Sequence, residues 1–202
     1  MGMTYDQATV EKICCRLRGL VQDAFQKHLY TTAIFYADKL ASLSHFEPED
    51  LYTLAECYFK NHEYRRVLHL LRQHGNIVGS DERLKLLVAQ SLLACKDWEE
   101  CLRYLEDHGC DEDSVADSKM ASAFALLRGR VYEVTENQKE ALVWYERAIQ
   151  LDAYCHEALD RLVGTHVLPL EQEMALLRSL RLHEEDEWLR HMYSAKLAAA
   201  RS

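Results

Sequence analysis

Ten histidines and seven cysteines are the side chains of this 202-residue chain best suited to hold a metal or attack an electrophile. Two ligands on one helix share a face only when they stand three or four residues apart. His62, His69 and His74 are separated by seven and five residues, and no His-Glu-x-x-His run occurs. Cys110 lies beside Asp111, Glu112 and Asp113, whose charges disfavour the thiolate that nucleophilic chemistry needs. Phosphate loops, nucleophile elbows and dinucleotide-binding glycine fingerprints are absent from the sequence. The run Glu184–Glu187 reads as a helix start that complements the macrodipole. No catalytic, metal or cofactor residue is assigned, and an enzyme is not expected.

The cysteines at 14, 15, 57, 95, 101, 110 and 155 form an odd set without a Cys-x-x-Cys pair. Five fall inside helical patterns, where Cys behaves as a small hydrophobe. They read as reduced thiols of a cytosolic or nuclear protein, not as a disulfide framework. The formal net charge of -9 argues against nucleic acid, because phosphate binding needs clustered cations and the longest basic run is Arg65–Arg66. Met1–Gln7 lacks the basic-then-apolar order of a secretory signal, and Asp6 stands where a myristoylation motif wants Ser or Thr. The longest apolar run, Leu84–Cys95, is too short to span a bilayer, so no membrane partner is expected.

The elements that must position these side chains follow from composition and period. With 49% apolar residues, only two prolines and seven glycines, and an interior rich in Ala, Leu, Glu, Lys and Arg, the chain is all-α. Three columns then align. Ala24, Tyr58, Leu92 and Tyr132 form the first; Tyr30, Tyr64, Trp98 and Gln138 the second; Ala33, Val67, Cys101 and Ala141 the third. Each steps by 34, 34 and 40 residues. Thirty-four is the period of a tetratricopeptide helix–turn–helix unit. Six extra residues in the acidic stretch 108–117 account for the longer last step, since loops tolerate insertions.

The columns also make packing sense. Where helices cross closely one residue must be small and its neighbour large. Ala33, Ala141, Ala148 and Gly129 are the small members; Tyr30, Tyr64, Trp98 and Tyr145 are the fillers. The expected architecture is one right-handed tetratricopeptide solenoid over 1–202. Its repeats run over about 14–43, 49–73, 81–107 and 118–150, with extra helix in front from Asp6 and further helices over 154–199, the fifth stopping before Pro169. Turns are expected at Asn61-His62, Lys96-Asp97 and Glu136-Asn137.

In such a solenoid the first helix of each pair lines the inner face. Turning the repeat columns into the core leaves a candidate partner groove: Arg18, Gln22 and Phe25; Tyr52, Glu56 and Phe59; Leu86, Gln90 and Leu93; Leu126, Arg130 and Glu133. For a solvated face this set is unusually apolar.

Several stretches are more particular than the repeat requires. They are KHLYTTAIFYADKLASL at 27–43, EPEDLYTLAECY at 47–58, ALLRGRVY at 125–132, DAYCHEALD at 152–160 with His166 and Leu168 after it, and EDEWL around Trp188. From Leu17 to Lys196 the chain resembles the N-terminal repeats of the subunit-six scaffolds of the anaphase-promoting complex, the cell-division-cycle-sixteen type. The resemblance implies a non-catalytic scaffold of a multisubunit ubiquitin ligase acting in mitosis, in nucleus and cytoplasm, with the other subunits of that complex as partners. It further implies a homodimer in which each N-terminal helix is clasped in the other protomer's groove. Family members are much longer, so an N-terminal piece is expected, lacking the C-terminal repeats that hold a small accessory subunit. The competing reading is a monomeric adaptor gripping a short peptide. A carboxylate clamp would need converging cations, whereas Glu56 and Glu133 would repel an anion and Arg83 is poorly supported.

Overall fold

Each apolar-periodic run is cut by a short polar turn, and each cut yields a pair of helices. The computed structural model describes residues 6–108, 115–165 and 170–199. Helices α1 (Gln7–Gln26) and α2 (Tyr30–Leu43) form the first pair, and α3 (Pro48–Lys60) and α4 (Tyr64–Gln73) the second. A six-residue α5 (Gly75–Ser80) precedes α6 (Glu82–Cys95) and α7 (Trp98–Asp107). Then come α8 (Ser118–Val134), α9 (Gln138–Leu151), α10 (His156–Thr165) and α11 (Leu170–Ser179). A 3₁₀ turn at Glu184–Asp186 leads into α12 (Glu187–Ala199). Among the described residues all regular structure is helical. The insertion around Cys110, the stretch holding His166, Leu168 and Pro169, Gly2, and the last three residues lie outside the described residues.

The repeat is written in the backbone as well as in the side chains. His28, His62, Lys96 and Glu136 all take left-handed backbone angles, with φ of 57°, 61°, 66° and 62°. They recur at the same steps of 34, 34 and 40. In three of them the following amide reaches back five residues: Leu29 to the Ala24 carbonyl, Glu63 to Tyr58 and Asn137 to Tyr132, each at 2.9 Å. This Schellman closure satisfies carbonyls that the ended helix leaves open. The first sequence column therefore marks the residue whose carbonyl closes the first helix, and the second marks the residue that opens the next. The phenols of Tyr30 and Tyr64 meet the Nδ1 atoms of His28 and His62 at 2.8 Å, tying turn to helix.

The chain divides into two compact units, 1–95 and 96–202. In the first, α2 packs on α1 and α3, and α6 on α3 and α4. Ala33, Ala37, Leu51, Ala55 and Val67 are fully buried there. In the second, α9 packs between α8 and α10, with Tyr145, Leu159, Leu162 and Tyr193 at the centre of one cluster. The pairing of a small with a large residue is clearest here. A Cβ at Gly129 would stand 2.4 Å from Cε1 of Tyr145, so only glycine lets that ring cross the helix. Ser122 donates to the Ala148 carbonyl at 2.7 Å, and Arg128 donates to the Leu105 carbonyl at 3.0 Å, so buried polar groups find partners.

The short helix α5 has no counterpart in the expected map. Two glycines within six residues hid it, because glycine is a poor helix former and the segment is too short to show a period.

Candidate protein-binding surface

The predicted groove residues occupy three columns on the first helices of the repeats, and the structure treats the three differently. In unit 1 the leading column holds Arg18, Tyr52 and Leu86. Arg18 reaches from α1 to α3 and grips both oxygens of Asp50, Nε to Oδ1 at 2.9 Å and Nη2 to Oδ2 at 2.8 Å. Its Nη2 also meets Glu47 at 2.7 Å. Asp50 is 2% exposed, so this fork neutralises a buried carboxylate at the start of α3. Tyr52 is half-buried, with the Arg83 guanidinium carbon 4.8 Å from its ring centre. Burial pushes the Tyr52 phenol up, and the charge of Glu56 adds to this. Arg83 closes in turn on Glu49 at 2.6 Å and Asp81 at 2.8 Å. Burial alone would raise the Asp81 carboxyl, but hydrogen bonds from the Arg83 side chain and backbone outweigh it and hold the group below its usual range. Leu86 is half-buried.

In the middle column Gln22 is exposed, while Glu56 and Gln90 are half-buried. The last column departs from the expectation. Phe25 and Phe59 lie edge-on against Tyr30 and Tyr64, ring centres 5.6 and 5.2 Å apart. A side chain in the last turn of one helix sits over the first residue of the next, so these rings brace the turns of their own repeats. Leu93 is corrected outright: it is 8% exposed and buried. Helix α6 buries Leu84, Leu87, Val88, Ala89, Ser91, Leu92 and Leu93, so its apolar surface wraps more than one side. An inner face cannot be found on such a helix by rotating a single column inward.

In unit 2 Leu126 is half-buried and packs against the core cluster. Arg130 approaches Glu157 at 3.9 Å. Glu133 accepts the Tyr145 hydroxyl in a short hydrogen bond and meets Arg161 at 3.0 Å, linking α8, α9 and α10. Burial, then this bond to Glu133, pushes the Tyr145 phenol well up. Glu133 thus braces the fold, a role that sequence spacing does not reveal. Asp50, Glu49 and Arg161 were missed for the same reason, although Glu49 and Arg83 are 34 residues apart and the repeat places them in register.

The resulting surface can dock a partner by shape and apolar contact but is poorly equipped to hold an anion. Arg18, Arg83, Arg130 and Arg161 each already close on a carboxylate. Among the described residues no three His, Cys, Asp or Glu side chains are grouped to hold a metal ion. Nor is any described helix long and apolar enough to cross a membrane. Cys14, Cys15, Cys57 and Cys155 are thiols.

Known proteins share these features. A family model described as "Anaphase-promoting complex, cyclosome, subunit 3" matches residues 26–108. The chain is 39% identical to anaphase-promoting complex subunit 6 of Arabidopsis thaliana, over 89% of this chain and 36% of that protein. It is 34% identical to the cell division cycle protein 16 homolog of Homo sapiens, over 90% of this chain and 33% of that one. Of solved structures, the APC/C hetero-tetramer Cut9-Hcn1 superposes with a TM-score of 0.78 at 29% identity, covering 90% of this chain and 35% of the other. MamA from Desulfovibrio magneticus RS-1, at 16% identity and a TM-score of 0.63 over 94% and 95% of the two chains, shares the fold alone. The chain spans about a third of the length of the curated relatives it matches. By sequence and fold together, the chain is similar over nine tenths of its length to part of the anaphase-promoting complex subunit 6 proteins, and its fold is that of a tetratricopeptide-repeat protein.

Proposed function

We propose that this chain is a non-catalytic scaffold segment of an anaphase-promoting complex, at work in nucleus and cytoplasm, and that unit 1 pairs with a second copy of the chain. The carrying observation is the identity to two subunit 6-type relatives across nine tenths of the chain. A hetero-tetramer named for two chain types, Cut9 and Hcn1, must contain at least one type more than once, which agrees with a self-pairing subunit. The first helix supplies the means. At 20 residues α1 is about 30 Å long, whereas the 14 residues of α2 reach about 21 Å, so α2 cannot cover all of it. Val10 and Ile13, in the first two turns, are left half-buried. Such an overhang suits a clasp by the partner's inner face around Tyr52, Glu56, Leu86 and Gln90. The paired arginines disfavour the adaptor reading, since a carboxylate clamp needs cations that are not already engaged.

Light scattering at micromolar concentration should report about twice the 23.5 kDa chain mass. Ile13→Glu should return it to a single chain with helicity unchanged, because the carboxylate meets water in the monomer and an apolar contact in the dimer. A wild-type monomer at every accessible concentration overturns the pairing.

A further inference from the structure

The charge of the chain is unevenly divided. Residues 1–95 hold eleven basic and eleven acidic side chains, while residues 96–202 hold thirteen basic and twenty-two acidic ones, so the whole excess belongs to unit 2. In that unit two aromatic side chains stand out of the core, Trp188 at 60% and Tyr154 at 42% exposure. Tryptophan is normally well buried, and both residue types are those that anchor protein interfaces. These two are joined through one carboxylate. Tyr154 donates its hydroxyl to Asp186 Oδ2 at 2.7 Å, and Trp188 Nε1 donates to Asp186 Oδ1 at 3.2 Å. The Tyr154 oxygen also accepts the His183 amide at 3.2 Å, and Asp152 accepts the Tyr154 amide at 3.0 Å. The polar ends are satisfied and the ring positions are fixed before any partner arrives, which lowers the ordering cost of binding.

We infer that Tyr154 and Trp188, ringed by the exposed carboxylates of Glu184, Glu185 and Glu187, dock an arginine- or lysine-bearing segment of a partner protein. A cation over the Trp188 face gains from the ring quadrupole. Glu184 opens the 3₁₀ turn four residues before Trp188 and Glu187 adjoins it, so a second basic side chain on the same segment meets a carboxylate. The acidic run is then a partner surface as well as a helix start. Arg190 does not compete for the ring: it donates to the Leu177 and Leu180 carbonyls and to Glu187. This docking is independent of the pairing proposed for unit 1.

The test is fluorescence anisotropy of a fluorescein-labelled hexa-arginine peptide with the full chain at about 150 mM salt, where diffuse charge attraction is screened. Trp188→Ala should weaken binding about tenfold, and the pair Glu184→Gln with Glu185→Gln should weaken it and flatten its salt dependence. Trp188→Phe should keep part of the affinity, and Glu99→Gln with Glu100→Gln on α7 should change it little. Circular dichroism should show all variants folded, because the replaced side chains are exposed. The inference is overturned if no binding is seen, or if the α7 pair and Trp188→Ala weaken it equally, which would mean attraction to net charge alone. It is also overturned if Trp188→Ala halves the mass in light scattering, for then the occupant is a second copy of this chain.

Discussion

Gly129 shows how far a single position can be read in advance. The fourth repeat demanded a small residue opposite a large one, and the pair is Gly129 and Tyr145, the latter fully buried. A methyl group at 129 would overlap the ring, so Gly129→Ala should cost about 1–3 kcal/mol or more and lower the melting temperature by several degrees. An unchanged melting curve would mean the ring moves aside freely. The reverse holds at Glu136, whose φ of 62° burdens any residue with a Cβ. There Glu136→Gly should stabilise by up to about 1 kcal/mol, reduced by the extra freedom glycine gives the unfolded chain. Urea unfolding distinguishes the two signs. The cysteines divide by environment: Cys15 is exposed, whereas Cys57 is fully buried and burial pushes its thiol up to about 12. A thiol reagent at pH 8 should modify Cys15 quickly and leave Cys57 untouched until the chain unfolds. Leu93 could not be placed in this way, because the four-residue apolar run Leu92–Cys95 gives no direction.

At the scale of elements, helix pairs and turns were legible because four repeats supply four independent readings of one pattern. What held single elements to each other was not. The Arg18–Asp50 fork spans 32 residues and the Glu133–Arg161 bond 28, and neither separation is a multiple of the repeat. Arg18→Ala would leave the Asp50 carboxylate buried without its guanidinium. The expected loss is about 1–3 kcal/mol, below the full value for a buried pair because nearly half of the Arg18 side chain is exposed. Restoration by a second change, Asp50→Asn, would show that charge and not shape was at fault. Acid should act on the neighbouring site as well. Because Arg83 holds Asp81 below its usual range in the folded chain, the stabilisation is complete above about pH 4 and is lost as the pH falls through the folded value. Arg83→Ala should therefore flatten the decline of stability with acid in that window. An equally steep decline in the variant would assign the acid sensitivity to other carboxylates.

For the whole molecule, the sequence indicated one unbroken array, and the chain divides after Cys95, in the turn of the third repeat. Composition gives a physical counterpart: unit 1 is electrically balanced and unit 2 bears the net charge of -9. Repeat arrays draw their stability from local terms and nearest-neighbour contacts, so a lesion in one unit need not reach the other. Gly129→Ala is the sharpest probe, since the clash it creates lies between α8 and α9, inside unit 2. Hydrogen exchange in the variant should speed up in α8, α9 and α10 by about 5- to 150-fold, the equivalent of 1–3 kcal/mol, while α1 to α4 change by less than about twofold. Salt should oppose the effect in one unit only, because screening relieves the self-repulsion of the acidic half and has little to relieve in the balanced one. If exchange instead rises equally from α1 to α12, the chain unfolds as a single cooperative body and the division after Cys95 has no energetic meaning. If only the second unit responds, unit 2 yields while unit 1 stays folded, and the two are separate units of stability.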